Sequence, residues 1–386
     1  MIISPARRLQ QVEEYYFSRK LQQIRQMNDA GQDVINLGIG SPDLPPSPET
    51  VTALGEVAQQ PDAHGYQPYR GLVSLREAMA EWCRRTFSVE LNPEQEVLPL
   101  MGSKEGITHI SLAFLNPGDA VLVPSLGYPA YTAVTRMVEA RVQTYPLQDK
   151  TWQPDFAALE KLDTGRVKLL WCNYPHMPTG TPAQYQAFEK LVAFARERNL
   201  LICHDNPYAL VLNKEKSLSI LSVPGAKEVA IELHSLSKSH NMAGWRIGWI
   251  AGSTDYLSEI IKIKSNVDSG MFKAVQQAAI AALQNSPAWH QQRNQEYQER
   301  QEITFKLAEI LSCEFDPQQQ GMFVWARISD NEDSAEALSE RVLHEHQVFI
   351  TPGHIFGSQG NRYLRFSLCI SQERLQEAVH RIASSV

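Results

Sequence analysis

Between His234 and Trp249 the chain reads HSLSKSHNMAGWRIGW. Lys238 stands between two serines, and Arg246 follows eight residues on, just past Gly244. The apolar residues there keep neither a helical nor a strand period for long. A lysine amine forms a Schiff base with a carbonyl, and burial lowers its pKa and makes it nucleophilic. The hydroxyls beside Lys238 and the Arg246 fork suit a phosphate. Read alone, the segment equally describes an exposed lysine in a polar loop. A second stretch, MGSKEGI (Met101 to Ile107), is a strand-to-helix turn of small residues. Its backbone N–H groups could hold a phosphate, or it is simply a helix start with a serine cap. A third stretch, CHDNPYAL, ends an apolar run with Asp205 and places Tyr208 three residues later. An acid at a strand end also serves as a cap.

Taken together, the parts are phosphate donors, a carboxylate, a phenol and a lysine. Pyridoxal phosphate chemistry needs this set. The carboxylate keeps the pyridine nitrogen protonated, so the ring becomes an electron sink. The phenol hydrogen-bonds the ring hydroxyl. The lysine holds the aldehyde and later moves the proton.

These residues need a scaffold that brings distant segments to one place. AVLVP, VKLLWCN, LLICHD and VAIELHS are continuous apolar runs of strand length, and EVLPLMGS reads as a strand entering a turn. Helical patterns such as PAYTAVTRMVEA and AQYQAFEKLVAFARERN lie between them. This alternation predicts a mostly parallel sheet covered by helices. Ligands gather at the carboxyl ends of the strands in such sheets. GMFVWARI, VFITPGHIFG and YLRFSL predict a smaller α+β domain near the C-terminus, and the first thirty or so residues read as a helical arm.

At this point the chain resembles the class I/II aminotransferases of fold type I, which depend on pyridoxal phosphate. The resemblance spans nearly the whole chain. It is carried by INLGIGSPD, GYQPYRG with LREA, MGSKEGI, SLGYPAY, PHMPTG, HDNPYAL, SLSKSHNMAGWRIGW and YLRFSL. Within the family, INLGIGSPDLPPSPE and SNVDSGMFKAVQQAA are most similar to LL-diaminopimelate aminotransferases and the aspartate/alanine aminotransferases near them. The resemblance implies a large cofactor-binding domain, residues 48–285, with a mixed, mostly parallel sheet flanked by helices. It implies a C-terminal small domain, 286–386, and an N-terminal arm that joins the small domain, 1–47.

The resemblance also implies roles. Lys238 is the Schiff-base lysine and proton shuttle. Asp205 pairs with the pyridine nitrogen and Tyr208 with the ring hydroxyl. Gly102, Ser103 and Lys104 hold the phosphate mainly through backbone N–H groups, and Ser235 and Arg246 complete the cup. Tyr128 stacks on the ring face, with a core aromatic as the other reading. Tyr66 reaches the phosphate of a neighbouring subunit, which implies a homodimer with shared sites. Arg365 clamps the substrate α-carboxylate, while Arg362 reads as a strand-end charge. Gly40 gives its N–H to the same carboxylate, and it also reads as a turn glycine needing positive φ. Met177 stands directly before Pro178-Thr179-Gly180, where the family carries asparagine. A thioether donates no hydrogen bond, and Asn173 and His176 are the neighbours that could stand in. The N-terminal YYFSRK either closes over substrate or packs the arm onto the small domain.

The function expected is an amino-group exchange between an L-amino acid and a 2-oxo acid. Glutamate/2-oxoglutarate is the expected pair, with aspartate, alanine or LL-diaminopimelate as partner. A C–S β-lyase would use the same lysine and aspartate. A ligand-sensing regulator with this fold would add a DNA-binding domain, for which the pattern leaves no room. The net charge of −7 argues against a nucleic-acid surface. No apolar run is long enough to span a bilayer, and the charged N-terminus is unlike a secretory signal. Five scattered cysteines without a CxxC argue against a metal site or disulfide framework and for a reducing, cytoplasmic location. His344 and His346 read as a solvated helix end rather than metal ligands, and Cys172 and Cys203 as small core residues.

Overall fold

A computed structural model describes residues 2–12 and 14–384. Seven strands form the central sheet, in the spatial order Val97–Leu100, Gly248–Gly252, Ala230–Ser235, Leu201–Asn206, Val167–Asn173, Ala120–Pro124 and Arg141–Tyr145. Only Gly248–Gly252 runs antiparallel to its neighbours. The four middle pairings, from Ala230–Ser235 out to Arg141–Tyr145, are parallel. The expected mixed, mostly parallel sheet is therefore present. Its strands are apolar on both faces because helices cover both. On one face Leu98, Val121, Leu169, Ile231 and Ile250 pack with Ile107 and Ile110 of the Ser103–Phe114 helix. On the other, Leu122, Leu170, Ile202 and Trp249 join the larger core.

Alternation along the strands decides which side chains reach the site. Asp205 pairs in register with Leu233, and Asn173 with Asp205, so the carboxyl ends of three adjacent strands lie side by side. The Ser103–Phe114 helix starts beside these ends and approaches the sheet closely. A Cβ at Gly106 would meet Leu233 Cδ2 at 2.5 Å and Leu100 Cδ1 at 2.7 Å.

A second, antiparallel sheet follows the order Thr351–Pro352, Tyr363–Ser367, Phe323–Arg327, Glu314–Phe315. The Pro287–Ile310 helix, capped by Ser286, leads into it. The short Ile35–Asn36 strand pairs in parallel with Val348–Phe349. Beyond it, Ser367 N donates to Leu37 O at 2.7 Å, so the segment after the N-terminal helix is stitched to this sheet. The arm itself is a 3₁₀ turn, Arg7–Gln11, and a helix, Tyr16–Asp29.

The sequence pattern missed two strands of the central sheet. Arg141–Tyr145 is an edge strand with mostly polar, half-exposed residues, so it lacks an apolar run. Gly248–Gly252 is fully buried but glycine-bounded and short. All five cysteines are free, and Cys172 and Cys203 are fully buried, as expected of core residues.

Candidate active site

A cavity of about 600 Å³ opens at the carboxyl ends of the strands. Lys238, Asp205, Tyr208, Tyr128, Ser103, Lys104, Ser235, Arg246, Met177, Arg365 and Gly40 all line it. Tyr66 does not. It lies on the surface, 94% exposed. Gly102 sits just behind, with φ of +82°, and a Cβ there would meet Arg246 Nη2 at 2.1 Å. Its backbone therefore lets Arg246 lie against the turn, and only glycine adopts that φ without strain.

Lys238 belongs to a single helical turn, Leu236–Ser239, which follows directly on the Ala230–Ser235 strand. Ser235 Oγ accepts from Ser237 N at 3.1 Å and caps that turn. Lys238 is half-buried, and its Nζ donates to Gly40 O. Burial lowers the Lys238 pKa, with the Arg365 and Arg246 charges adding to the shift against Cys369. The exposed-loop reading of this segment is thus excluded.

Asp205 ends its strand inside the protein. Tyr131 Oη donates to Asp205 Oδ2 at 2.8 Å. Asp205 Oδ1 is buried and has no partner among the described residues. Burial pushes the carboxyl up to about 6, the Tyr131 bond and His204 pulling back. The carboxylate caps nothing, so its unpaired oxygen needs a donor from elsewhere. Tyr131 is held by the Trp171 ring, stacked at 4.8 Å and 7°. Nothing in the sequence reading singled out Tyr131. Its only local signal is a second tyrosine one helical turn after Tyr128.

The phosphate side is a helix N-terminus. Gly102 is the N-cap of Ser103–Phe114 and supplies no side-chain bond, so Ser103 does not cap the helix as a plain start would have it. The first N–H groups of the helix are left to an anion. Arg246 Nη1 donates to Ser237 Oγ at 3.4 Å and Ala243 O at 2.9 Å. Ser237 therefore joins this cluster. The second glycine of the segment has a different task. A Cβ at Gly248 would meet His234 O and Ser103 N, each at 2.7 Å.

Arg365 is buried in a ring of aromatics, its guanidinium carbon 4.0 Å from the Phe323 centroid, 4.5 Å from Phe356 and 5.4 Å from Phe17. Nη2 donates to Gly38 O at 2.6 Å, and Nε has no partner among the described residues. Burial lowers its pKa to about 10, so it stays charged at neutral pH. Among the described residues no carboxylate pairs with it. A buried cation of this kind is completed by an anionic ligand. Gly40 is explained by Phe323 and not by φ: a Cβ would meet Phe323 Cζ at 2.2 Å, and its φ is not positive. Arg362 donates to Glu332 O, Asp333 O and Ser329 O, pinning a loop.

Met177 lies against Arg365, whose Nη1 points at Sδ at 3.5 Å. Neither proposed stand-in is free. Asn173 Nδ2 donates to Asp205 O at 2.6 Å, and its Oδ1 accepts from Met177 N at 2.7 Å. His176 is bonded to Thr179 Oγ1 and Leu126 O. Asn173 thus holds Asp205 and Met177 in place through the backbone. From the arm, Tyr15, Phe17 and Leu21 reach the cavity wall, while Lys20 pairs with Glu340 at 2.6 Å. The arm both lines the site and packs on the Ala335–His346 helix.

Outside the cavity, Glu105, His109 and Asp268 bring ligand atoms within 4.8 Å of one another. Lys264 Nζ already lies 2.5 Å from Asp268, so a lysine balances the carboxylates. His344 and His346 are in the last turn of the Ala335–His346 helix.

Comparison with known proteins agrees with this geometry. The family model described as aminotransferase class I and II matches residues 32–382. The chain belongs to the class I and II aminotransferases. It is 40% identical over 379 residues to an LL-diaminopimelate aminotransferase of Moorella thermoacetica, covering 98% of this chain and 97% of that one. An LL-diaminopimelate aminotransferase of Aquifex aeolicus is 39% identical over 378 residues, covering 97% of each. Among solved structures, apo-BacF from Bacillus subtilis superposes with a TM-score of 0.94 at 37% identity, covering 100% of this chain and 98% of that one.

As an aminotransferase of this family the protein is a transaminase that uses pyridoxal phosphate. The residues present fit that group. The unpaired, buried Asp205 Oδ1 suits a ring N–H, and the uncapped helix start with Arg246 suits a phosphate. The relatives are aminotransferases, and the β-lyase alternative is not favoured.

Proposed function

We propose that the enzyme transfers the amino group of an L-amino acid to a 2-oxo acid through the residues named above. The observation that carries the reading is the convergence of Lys238, half-satisfied Asp205 and aromatic-caged Arg365 on one cavity. Bound pyridoxal phosphate supplies an electron sink for the carbanion that forms at the substrate α-carbon. Lys238 Nζ would hold the cofactor through its aldehyde carbon at rest and, once the incoming amino group has displaced it, would take up the proton from the substrate α-carbon as the free amine. Asp205 Oδ1 keeps the ring nitrogen protonated, and Tyr208 Oη donates to the ring hydroxyl. Backbone N–H groups of Ser103 and Lys104, with Ser235 and Arg246, hold the phosphate. Tyr128 covers the ring, and Arg365 with the Gly40 N–H fixes the α-carboxylate.

Met177 gives the α-carboxylate no hydrogen bond, so Arg365 bears more of that binding than an asparagine-containing site would ask. Tyr66 is the partner-directed residue of a homodimer with shared sites. The working units are the arm with part of the small domain (1–47), the cofactor domain (48–285) and the small domain (286–386). No helix is long and apolar enough to cross a membrane. The relatives' names place LL-diaminopimelate in the first panel of donors, with glutamate, aspartate and alanine. Arg70, which follows Tyr66 in the chain, donates to Glu94 O at the surface. The test is stoichiometry with two substrates. New amino acid and new 2-oxo acid should appear in equal amounts, without ammonia. Ammonia with pyruvate would mean β-elimination instead.

A further inference from the structure

The cavity contains four cationic side chains: Lys104, Lys238, Arg246 and Arg365. Three are spoken for by the reading above, on which this inference rests. The fourth, Lys104, holds its Nζ over the Tyr15 ring at 5.2 Å. The wall also carries the apolar Phe17, Leu21, Ile39, Phe323 and Phe356, of which Phe17, Phe323 and Phe356 ring Arg365. A second chamber of about 560 Å³ adjoins the first. The two share Tyr15, Phe17, Lys104, Tyr128, Tyr131 and Phe356 as walls. The second continues past Tyr16, Val123, Val134 and Ile355, and its charged Glu14 and Arg136 are solvent-exposed.

We propose that this aromatic chamber is the substrate side-chain subsite, and that the preferred amino acid carries a bulky apolar or aromatic side chain. The argument is one of desolvation. A second carboxylate placed among Tyr15, Phe17 and Phe356 would lose its water, and of the cations against these rings Lys104 is engaged on an aromatic face and Arg365 is taken by the α-carboxylate. An apolar side chain there loses nothing and buries its own surface against rings that stack on it. Met177 works in the same direction. It removes a polar group from the Arg365 end of the cavity, which leaves apolar contact as the wider part of the recognition surface.

The test uses binding, separate from turnover. The cofactor-loaded protein is titrated calorimetrically with propionate, 3-phenylpropionate and glutarate. None has an amino group, so none reacts by transamination. The proposal expects 3-phenylpropionate to bind at least about tenfold tighter than either of the others, with a negative heat-capacity change. Ile355→Ala, which changes only the outer chamber, should narrow the ratio of phenylpropionate to propionate. Equal affinities for those two, tighter binding of glutarate, or a ratio unmoved by Ile355→Ala would each overturn it. If none of the three bound, the Arg365 clamp would fall, and this proposal with it. If amino transfer failed while phenylpropionate still bound selectively, only the reaction would be misassigned.

Discussion

Asp205 carries the sharpest residue-scale consequence. Burial pushes its carboxyl from about 3.8 up to about 6. In that interval the folded, cofactor-free protein holds a proton that the unfolded chain has released. Stability of that form therefore falls as pH rises from about 4 to about 6, by on the order of 3 kcal/mol. Asp205→Asn cannot ionise and should escape the fall. Urea midpoints of the cofactor-stripped pair, taken across that range, should diverge in favour of the variant. A constant gap would contradict the account. Tyr131→Phe tests the same carboxylate from its other oxygen. Without the 2.8 Å hydrogen bond the ionised form is less stable, and it is the ionised form that pairs with a protonated ring. We expect cofactor affinity to drop about tenfold, with the acidic limb of the pH–rate profile moving upward. The sequence made Asp205, Lys238 and Arg246 legible because each sits in a short segment of unusual composition. Tyr131, Phe323 and Phe356 were not legible in this way. They are ordinary aromatics in apolar runs, and only long-range packing turns them toward the site.

At the scale of elements, the segment from Leu236 to Gly252 aligns the lysine turn with the phosphate helix. Two of its glycines, Gly244 and Gly248, look alike in sequence and differ in the fold. Gly248→Ala would push a methyl group to 2.7 Å from Ser103 N, so the helix start must shift. Overpacking of this kind costs roughly 1–3 kcal/mol, and cofactor binding should weaken by about tenfold or more. Gly244 is exposed with nothing within 4 Å of a Cβ, and Gly244→Ala should leave affinity within about twofold. Equal effects from the two would mean that the close approach does not set the phosphate site. Strand identity was readable where a buried strand is a run of large apolar residues, as in VKLLWCN and LLICHD. It was not readable for RVQTY, whose exposed edge position permits polar residues. Nor was it for GWIAG, where small residues reflect close packing and not β preference.

For the whole molecule, Tyr66 is exposed and takes no part in this chain's own cavity lining, so its proposed role needs a second subunit. Two variants, Tyr66→Ala and Lys238→Ala, should each be impaired alone. Mixed and reassembled, they should regain roughly a quarter of native activity, because half the dimers then hold one intact site of two. Recovery of nothing would place Tyr66 outside any shared site. Sequence reading reached this arrangement only through family resemblance, since a surface tyrosine carries no local sign of the partner it faces. The claim on which all of this depends is that one lysine carries the cofactor and moves the proton. The direct measurement is borohydride reduction of the cofactor-loaded protein, followed by mass mapping of its peptides. The account predicts the cofactor mass on Lys238 alone. A label on Lys104 or any other lysine, or none at all, would contradict it.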